Sequence, residues 1–129
     1  MAGAKVSSSK KKRILIIEDE RPLAHALELK LSSSGYETTI ASTGAEGLKE
    51  GQDESYDLIL LDLIIPGIDG FGVLNGLKNK KINTPVIVLS NLGQEEDKER
   101  AKELGVKEYY VKSNTPLAVI IETVKQILK

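Results

Sequence analysis

Six side chains in this sequence could do chemistry together if the fold gathers them. Glu18, Asp19 and Glu20 form an unbroken run of acids, and Asp62, Ser90 and Lys112 stand apart from them. Carboxylates brought to one place repel each other unless a cation is present. Oxygen donors without histidine or cysteine favour a hard ion such as Mg2+, which keeps several waters and takes one or two carboxylates plus a phosphate oxygen. A lysine opposite is a compact, mobile point charge that can meet a carboxylate or a phosphoryl group. A serine hydroxyl can donate to an added phosphoryl oxygen. These are the parts of phosphoryl transfer to a carboxylate: a nucleophile, charge neutralisation and positioned donors. Each residue alone has a plainer reading. An acid or a serine at a strand end commonly caps the next helix, and a lysine there is commonly solvated.

The elements decide between those readings. KRILIIED (12–19), YETTIA (36–41), DLILLD (57–62), PVIVLS (85–90) and KEYYVK (107–112) are short, β-branched or aromatic runs bounded by turn signals, and read as strands. The second, with its threonines, reads as an edge strand; the other four are continuous enough for a parallel sheet covered on both faces. Helices fall between them. Leu23, Leu27 and Leu31 follow Pro22 at helical spacing, with Gly35 suited to the C-terminal cap. Ser42 or Thr43 can cap a short helix holding Ala45 and Leu48, and Asp69 one carrying Phe71, Leu74 and Leu77. A charged helix over about 94–104 has only Ala101 and Leu104 on its apolar stripe. Thr115 and Pro116 open the last helix, which puts Leu117, Ile120, Ile121, Val124 and Leu128 on one face. The order is (βα)5, an α/β fold with an open, doubly wound parallel sheet. Sites in such sheets form outside the carboxyl ends of the strands, where the six residues fall.

ILIIEDE (14–20), DLILLDLIIPGIDGFGVL (57–74), PVIVLSN (85–91) and LGVKEYYVKS (104–113) together resemble the response-regulator receiver domains of two-component signalling. The chain is similar to the chemotaxis-type single-domain members over about residues 12–128. The resemblance implies a flavodoxin-like fold with strand order 2-1-3-4-5. It implies that Asp62 accepts a phosphoryl group from a sensor histidine kinase or phosphotransfer protein. It makes Mg2+ the cofactor, with Mn2+ as a substitute, held by Asp19 directly, by Glu18 more through water, by Asp62 and by the backbone carbonyl of Ile64. Ser90 becomes the hydroxyl that swings to the phosphoryl group, Lys112 its ion-pair partner, and Tyr109 the aromatic switch, with Tyr110 on the opposite side of the strand. The surface made by the fourth helix, fifth strand and last helix is then expected to change partner affinity on phosphorylation. The sparse apolar stripe of the fourth helix makes it the least firmly held element.

The chain departs from the family pattern at Ser113, where proline usually follows the lysine; a non-proline cis bond costs about 2.5–4 kcal/mol, so a trans peptide is expected. Glu18 replaces the more common aspartate, and Ile64 and Leu92 put aliphatic side chains near the site, hinting at a long-lived phosphoryl group. His25, the only histidine, is expected at the surface of the first helix without a phosphodonor role. A haloacid-dehalogenase-type phosphatase would need Asp-x-Asp after the first strand and a cap. A nucleotide- or flavin-binding module would need a Gly- or Ser/Thr-rich loop there, where the acids would repel phosphate. The alternatives kept open are a phosphorylation-independent receiver-like interaction domain and a fragment of a larger DNA-binding regulator.

Bulk properties fit one domain: 129 residues, 40% hydrophobic, no cysteine and no apolar run long enough for a membrane helix. Residues 1–13 carry five basic residues and no acid, leaving 13 basic against 19 acidic residues, about −6, for the rest. Residues 1–12 are expected to be a basic, disordered leader and 13–129 the receiver domain. A cytoplasmic signalling module, not a metabolic enzyme, is expected, with only self-phosphorylation and slow autodephosphorylation of its own. It is expected to bind no nucleic acid or membrane, and to be a monomer or weak homodimer through the fourth helix, fifth strand and last helix. Val119 and Ile127 lie off the main face of the last helix and are expected to be open to a partner.

Overall fold

β-Branched residues favour the extended backbone because their branched carbons pack well on a pleated surface. The computed structural model describes residues 11–129, and the apolar runs form its strands: β1 Arg13–Ile17, β2 Glu37–Ala41, β3 Leu58–Leu61, β4 Val86–Ser90 and β5 Glu108–Val111. Between and after them lie α1 Arg21–Ser33, α2 Gly44–Gly51, α3 Gly70–Asn79, α4 Glu95–Glu103 and α5 Leu117–Ile127, with a 3-10 turn at Lys112–Asn114. The strands pair in parallel in the order β2-β1-β3-β4-β5, as expected. The leader expected over 1–12 falls, for residues 1–10, outside the described residues.

The period of two along each strand splits the core into two layers. Leu15, Ile17, Ile59, Leu61 and Val88 face Phe71, Leu74, Leu77 and Ala101 on α3 and α4. Ile14, Ile16, Leu58, Leu60 and Ile87 face Leu27 and Leu31 on α1 and Ile120, Ile121 and Val124 on α5. Each fully buried Leu or Ile contributes roughly 1.5–3 kcal/mol, so the alternation specifies register strongly. β2 is an edge strand, as its threonines suggested. β5 corrects the expectation of full burial: Glu108 is exposed and Tyr109–Val111 are half-buried, because β5 closes the other edge of the sheet. Ile127 packs against the second layer rather than standing free, while Val119 is 42% exposed. His25 is exposed. Among the described residues no helix is long and apolar enough to cross a membrane.

The helix termini are set locally. Ser34 ends α1, and Gly35, at φ +96°, lets Tyr36 N–H reach back to Leu31 O at 3.1 Å. Thr43, rather than Ser42, caps α2: its Oγ1 accepts Glu46 N–H at 3.1 Å, while the Glu46 carboxylate accepts Ser42 N–H. Asp69 caps α3 by accepting Gly72 N–H at 2.8 Å. Gly44 lies hard against the β3–α3 loop, where an added Cβ would sit 1.7 Å from Ile68 O. α4 is the lightly anchored helix the sequence suggested. Ala101 is its one buried residue, and Arg100 stacks 4.1 Å above the Phe71 ring.

Candidate functional site

Register places the acids side by side. Ile17 pairs with Leu61, so the next residues, Glu18 and Asp62, leave β1 and β3 together at the carboxyl edge. Asp62 N–H donates to Ile17 O at 3.0 Å and Glu18 N–H to Ala41 O at 2.9 Å, so both are anchored by backbone. Ser90 pairs with Val111, which puts Lys112 just beyond the end of β4. α1 and α2 leave on opposite faces of the sheet, so the edge at β1 and β3 is where the chain reverses its winding and a cleft forms.

Lys112 stands at the centre. Its Nζ lies 2.7 Å from Asp62 Oδ2, 2.8 Å from Glu20 Oε2 and 3.0 Å from Glu18 Oε1. Asp62 and Glu18 are 4% and 3% exposed, and Ile64 N–H donates to Asp62 Oδ1 at 2.9 Å. Carboxylate oxygens of Glu18, Glu20 and Asp62 all lie within 4.8 Å of one another. Asp19 is exposed and lines the cleft with Glu20, Asp62, Ile64, Asn91 and Lys112. One ammonium does not neutralise this many carboxylates. The donors are all oxygens, and the local charge and chemistry fit a hard divalent cation.

Environment shifts three groups in and beside the cleft. Burial raises Glu18 to about 6, helped by the Asp62 charge and opposed by hydrogen bonds from Glu20 N–H and Lys112. Burial disfavours the charged form of Lys112, but hydrogen bonds to Asp62, Glu20 and Glu18 outweigh it and hold the amine protonated well above its ordinary range. Tyr109 is pushed up to about 12 by burial and by the Asp97 and Asp62 charges, so it stays a neutral donor.

Ser90 and Tyr109 sit beside this cluster rather than in it. Ser90 is fully buried, and its Oγ accepts Leu92 N–H at 3.4 Å. The Tyr109 hydroxyl donates to the Leu92 carbonyl, so both polar groups of Leu92 are held by the two residues read as a switch. Tyr110 points to the other layer, where its hydroxyl meets Thr123 Oγ1 at 2.7 Å. Among the described residues every peptide is trans, including Lys112–Ser113. The edge thus gathers Glu18, Asp62, Ile64 and Lys112 closely, with Asp19 at the rim. Two residues that the family resemblance gave no role also take part. Glu20 reaches inward to Lys112, and Asn91 accepts Ser113 N–H at 3.2 Å. Glu20 was visible only as the third acid of a run, and Asn91 only as the neighbour of Ser90.

The chain is similar to known proteins along most of its length. The model of the response regulator receiver domain family matches residues 14–125. The chain is similar to the alkaline phosphatase synthesis transcriptional regulatory protein PhoP of Bacillus subtilis (strain 168), at 37% identity over 118 residues, covering 92% of this chain and 49% of that protein. It is also similar to the cell cycle response regulator CtrA of Brucella ovis, at 38% identity over 100 residues, covering 78% and 43%. The chain therefore spans about half the length of the curated relatives it matches. The Francisella response regulator 1452 receiver domain superposes with a TM-score of 0.84 at 31% identity, covering 91% of this chain and 96% of that one. The Vibrio cholerae chemotaxis protein CheY4 shares the fold, with a TM-score of 0.80 at 23% identity over 91% of this chain and 98% of that one.

Proposed function

The chain belongs to the response regulator receiver domain family, and from that premise we propose that Asp62 accepts a phosphoryl group from the phosphohistidine of a sensor kinase or phosphotransfer protein. One observation carries the reading. Asp62 is buried at the carboxyl edge with one oxygen held by Ile64 N–H and the other by Lys112, between two further carboxylates. A merely structural aspartate has no use for so many uncompensated neighbours.

A carboxylate oxygen of Asp62 forms a bond to phosphorus as the phosphorus–nitrogen bond to the donor imidazole breaks, and the imidazole leaves with its electron pair and takes up a proton. Lys112 follows the new charge, exchanging its bond to the carboxylate for one to a phosphoryl oxygen. The residues that would hold Mg2+, or Mn2+ in its place, are Glu18, Asp19, Asp62 and the Ile64 carbonyl, with Glu20 in reach. Such an ion, when bound, neutralises the carboxylates and the negative charge on the transferred group.

The phosphoryl group also supplies the switch. It adds charge and acceptor oxygens, and the Ser90 hydroxyl turns to donate to one of them. Leu92 N–H then loses Ser90, and the Tyr109 hydroxyl is free to leave the Leu92 carbonyl. α4, β5 and α5 re-pack as a partner-binding face, with α4 moving most because Ala101 is its one buried residue and, unlike β5, it is not hydrogen-bonded into the sheet. The partner served by that face belongs to the same polypeptide or to another. The module works in the cytoplasm with its kinase and makes no metabolic product; its own catalysis is self-phosphorylation and slow hydrolysis. Incubation with acetyl phosphate and Mg2+, followed by intact-mass measurement, tests this: the wild type gains one phosphoryl group and Asp62→Asn gains none. A wild type that gains nothing makes this a phosphorylation-independent interaction domain.

A further inference from the structure

The turn that carries Lys112 is held from outside itself. Lys112–Asn114 form one 3-10 turn, and Ser113 and Asn114 are exposed. On one side Thr115 Oγ1 donates to Val111 O at 2.8 Å, closing the turn on its own strand. On the other, Ser113 N–H donates to Asn91 Oδ1 at 3.2 Å, across 22 residues, from the loop that follows β4. Asn91 lies on the cleft wall with Asp62 and Lys112 and is the residue next to Ser90.

We propose that Asn91 is a positioning residue for Lys112: its amide oxygen takes the Ser113 N–H and so holds the turn that aims the ammonium at Asp62. The proposal rests on the phosphoacceptor reading above. The ammonium meets three carboxylates within 2.7–3.0 Å at once, and a four-carbon stem does this reliably only from a fixed backbone. A proline at 113 would have no N–H to satisfy and a fixed φ; serine leaves a donor and a freer backbone. A neutral amide can accept that donor without adding another carboxylate to an acidic cleft. The bond also ties the neighbour of the switch hydroxyl to the neighbour of the lysine. The two groups that would face the phosphoryl are thereby set as one unit.

The test uses the whole chain with acetyl phosphate and Mg2+ for rate, and NMR of the unphosphorylated protein for position. Asn91→Ala is expected to gain phosphoryl mass roughly three- to tenfold more slowly, the loss of one hydrogen bond, with only a small fall in its thermal midpoint because the bond is exposed to water. The Ser113 amide proton is expected to move upfield and the Lys112 Cε and Nζ signals to shift. Asn91→Asp, which keeps the acceptor, retains the Ser113 amide position. In a Ser113→Pro background, which lacks the donor, Asn91→Ala slows nothing further. Unchanged Ser113 and Lys112 signals in Asn91→Ala overturn the proposal, as does an equal slowing in both backgrounds. If Ser113→Pro does not fold, the amide and lysine signals decide. A wild type that takes no phosphoryl group defeats the functional reading, while those NMR signals still judge Asn91.

Discussion

Replacing Lys112 with methionine keeps the length of the side chain and removes its charge and its three donors. Glu20 is 58% exposed at its side chain and can turn to water, whereas the side chains of Glu18 and Asp62, each 3% exposed, cannot. Breaking a buried ion pair by removing one partner costs about 3–5 kcal/mol. The cleft opens to solvent beside Ile64, 54% exposed, so the lower end, about 3 kcal/mol, is expected at pH 8 without divalent cations. Acid offers relief. Burial already raises Glu18 to about 6, and loss of the Lys112 hydrogen bond pushes it higher. A folded-state carboxyl that binds its proton more tightly than the unfolded chain adds stability as pH falls, so the deficit shrinks toward pH 5. Urea unfolding of wild type and Lys112→Met at both pH values measures it. A deficit below about 1 kcal/mol at pH 8, or one of equal size at pH 5, would mean that Lys112 does not offset the buried carboxylates.

Three further outcomes are expected. In the metal-free wild type, Glu18 rises from 4.5 to about 6, mainly by burial; its contribution is full below about pH 4.5 and is lost as pH rises through about 6, on the order of 2 kcal/mol. NMR titration of the Glu18 carboxyl carbon checks this, and a midpoint near the ordinary glutamate value contradicts it. Gly44→Ala puts a Cβ 1.7 Å from the backbone oxygen of Ile68, which cannot rotate aside; the expected loss is about 3 kcal/mol by denaturant unfolding, and a wild-type midpoint would show that the loop yields freely. Tyr109→Phe deletes the hydroxyl that holds the Leu92 carbonyl and is expected to cost about 1 kcal/mol with faster amide exchange in the β4–α4 loop; unchanged exchange there removes Tyr109 from the loop's support.

The site was legible in sequence to the extent that secondary structure determines it. A parallel sheet puts all strand ends on one edge, so Glu18, Asp62, Ser90 and Lys112 could be gathered from apolar runs alone. Thr43, Asp69 and Gly35 were legible for the same reason: capping is read within a few residues. Longer-range contacts carried no local mark. Glu20 turns inward because a lysine 92 residues away draws it, and Asn91 meets Ser113 across 22 residues. The half-burial of β5 was likewise hidden, since a Tyr-Tyr-Val run looks alike in the centre and at the edge of a sheet. The resemblance to a family supplied what periodicity could not, namely the distinct roles expected of Asp19, Ile64 and Tyr109.

The proposed phosphoacceptor is Asp62 and no other acid. Borohydride reduces an acyl phosphate to an alcohol, turning a phosphorylated aspartate into homoserine. Treating the acetyl phosphate-reacted chain with borohydride and sequencing its peptides by mass spectrometry therefore names the residue. Homoserine at position 62, formed only when Mg2+ is supplied, is the predicted result. A reduced product from Glu18, Asp19 or Glu20, or none at any of these four positions, excludes Asp62 as the phosphoacceptor.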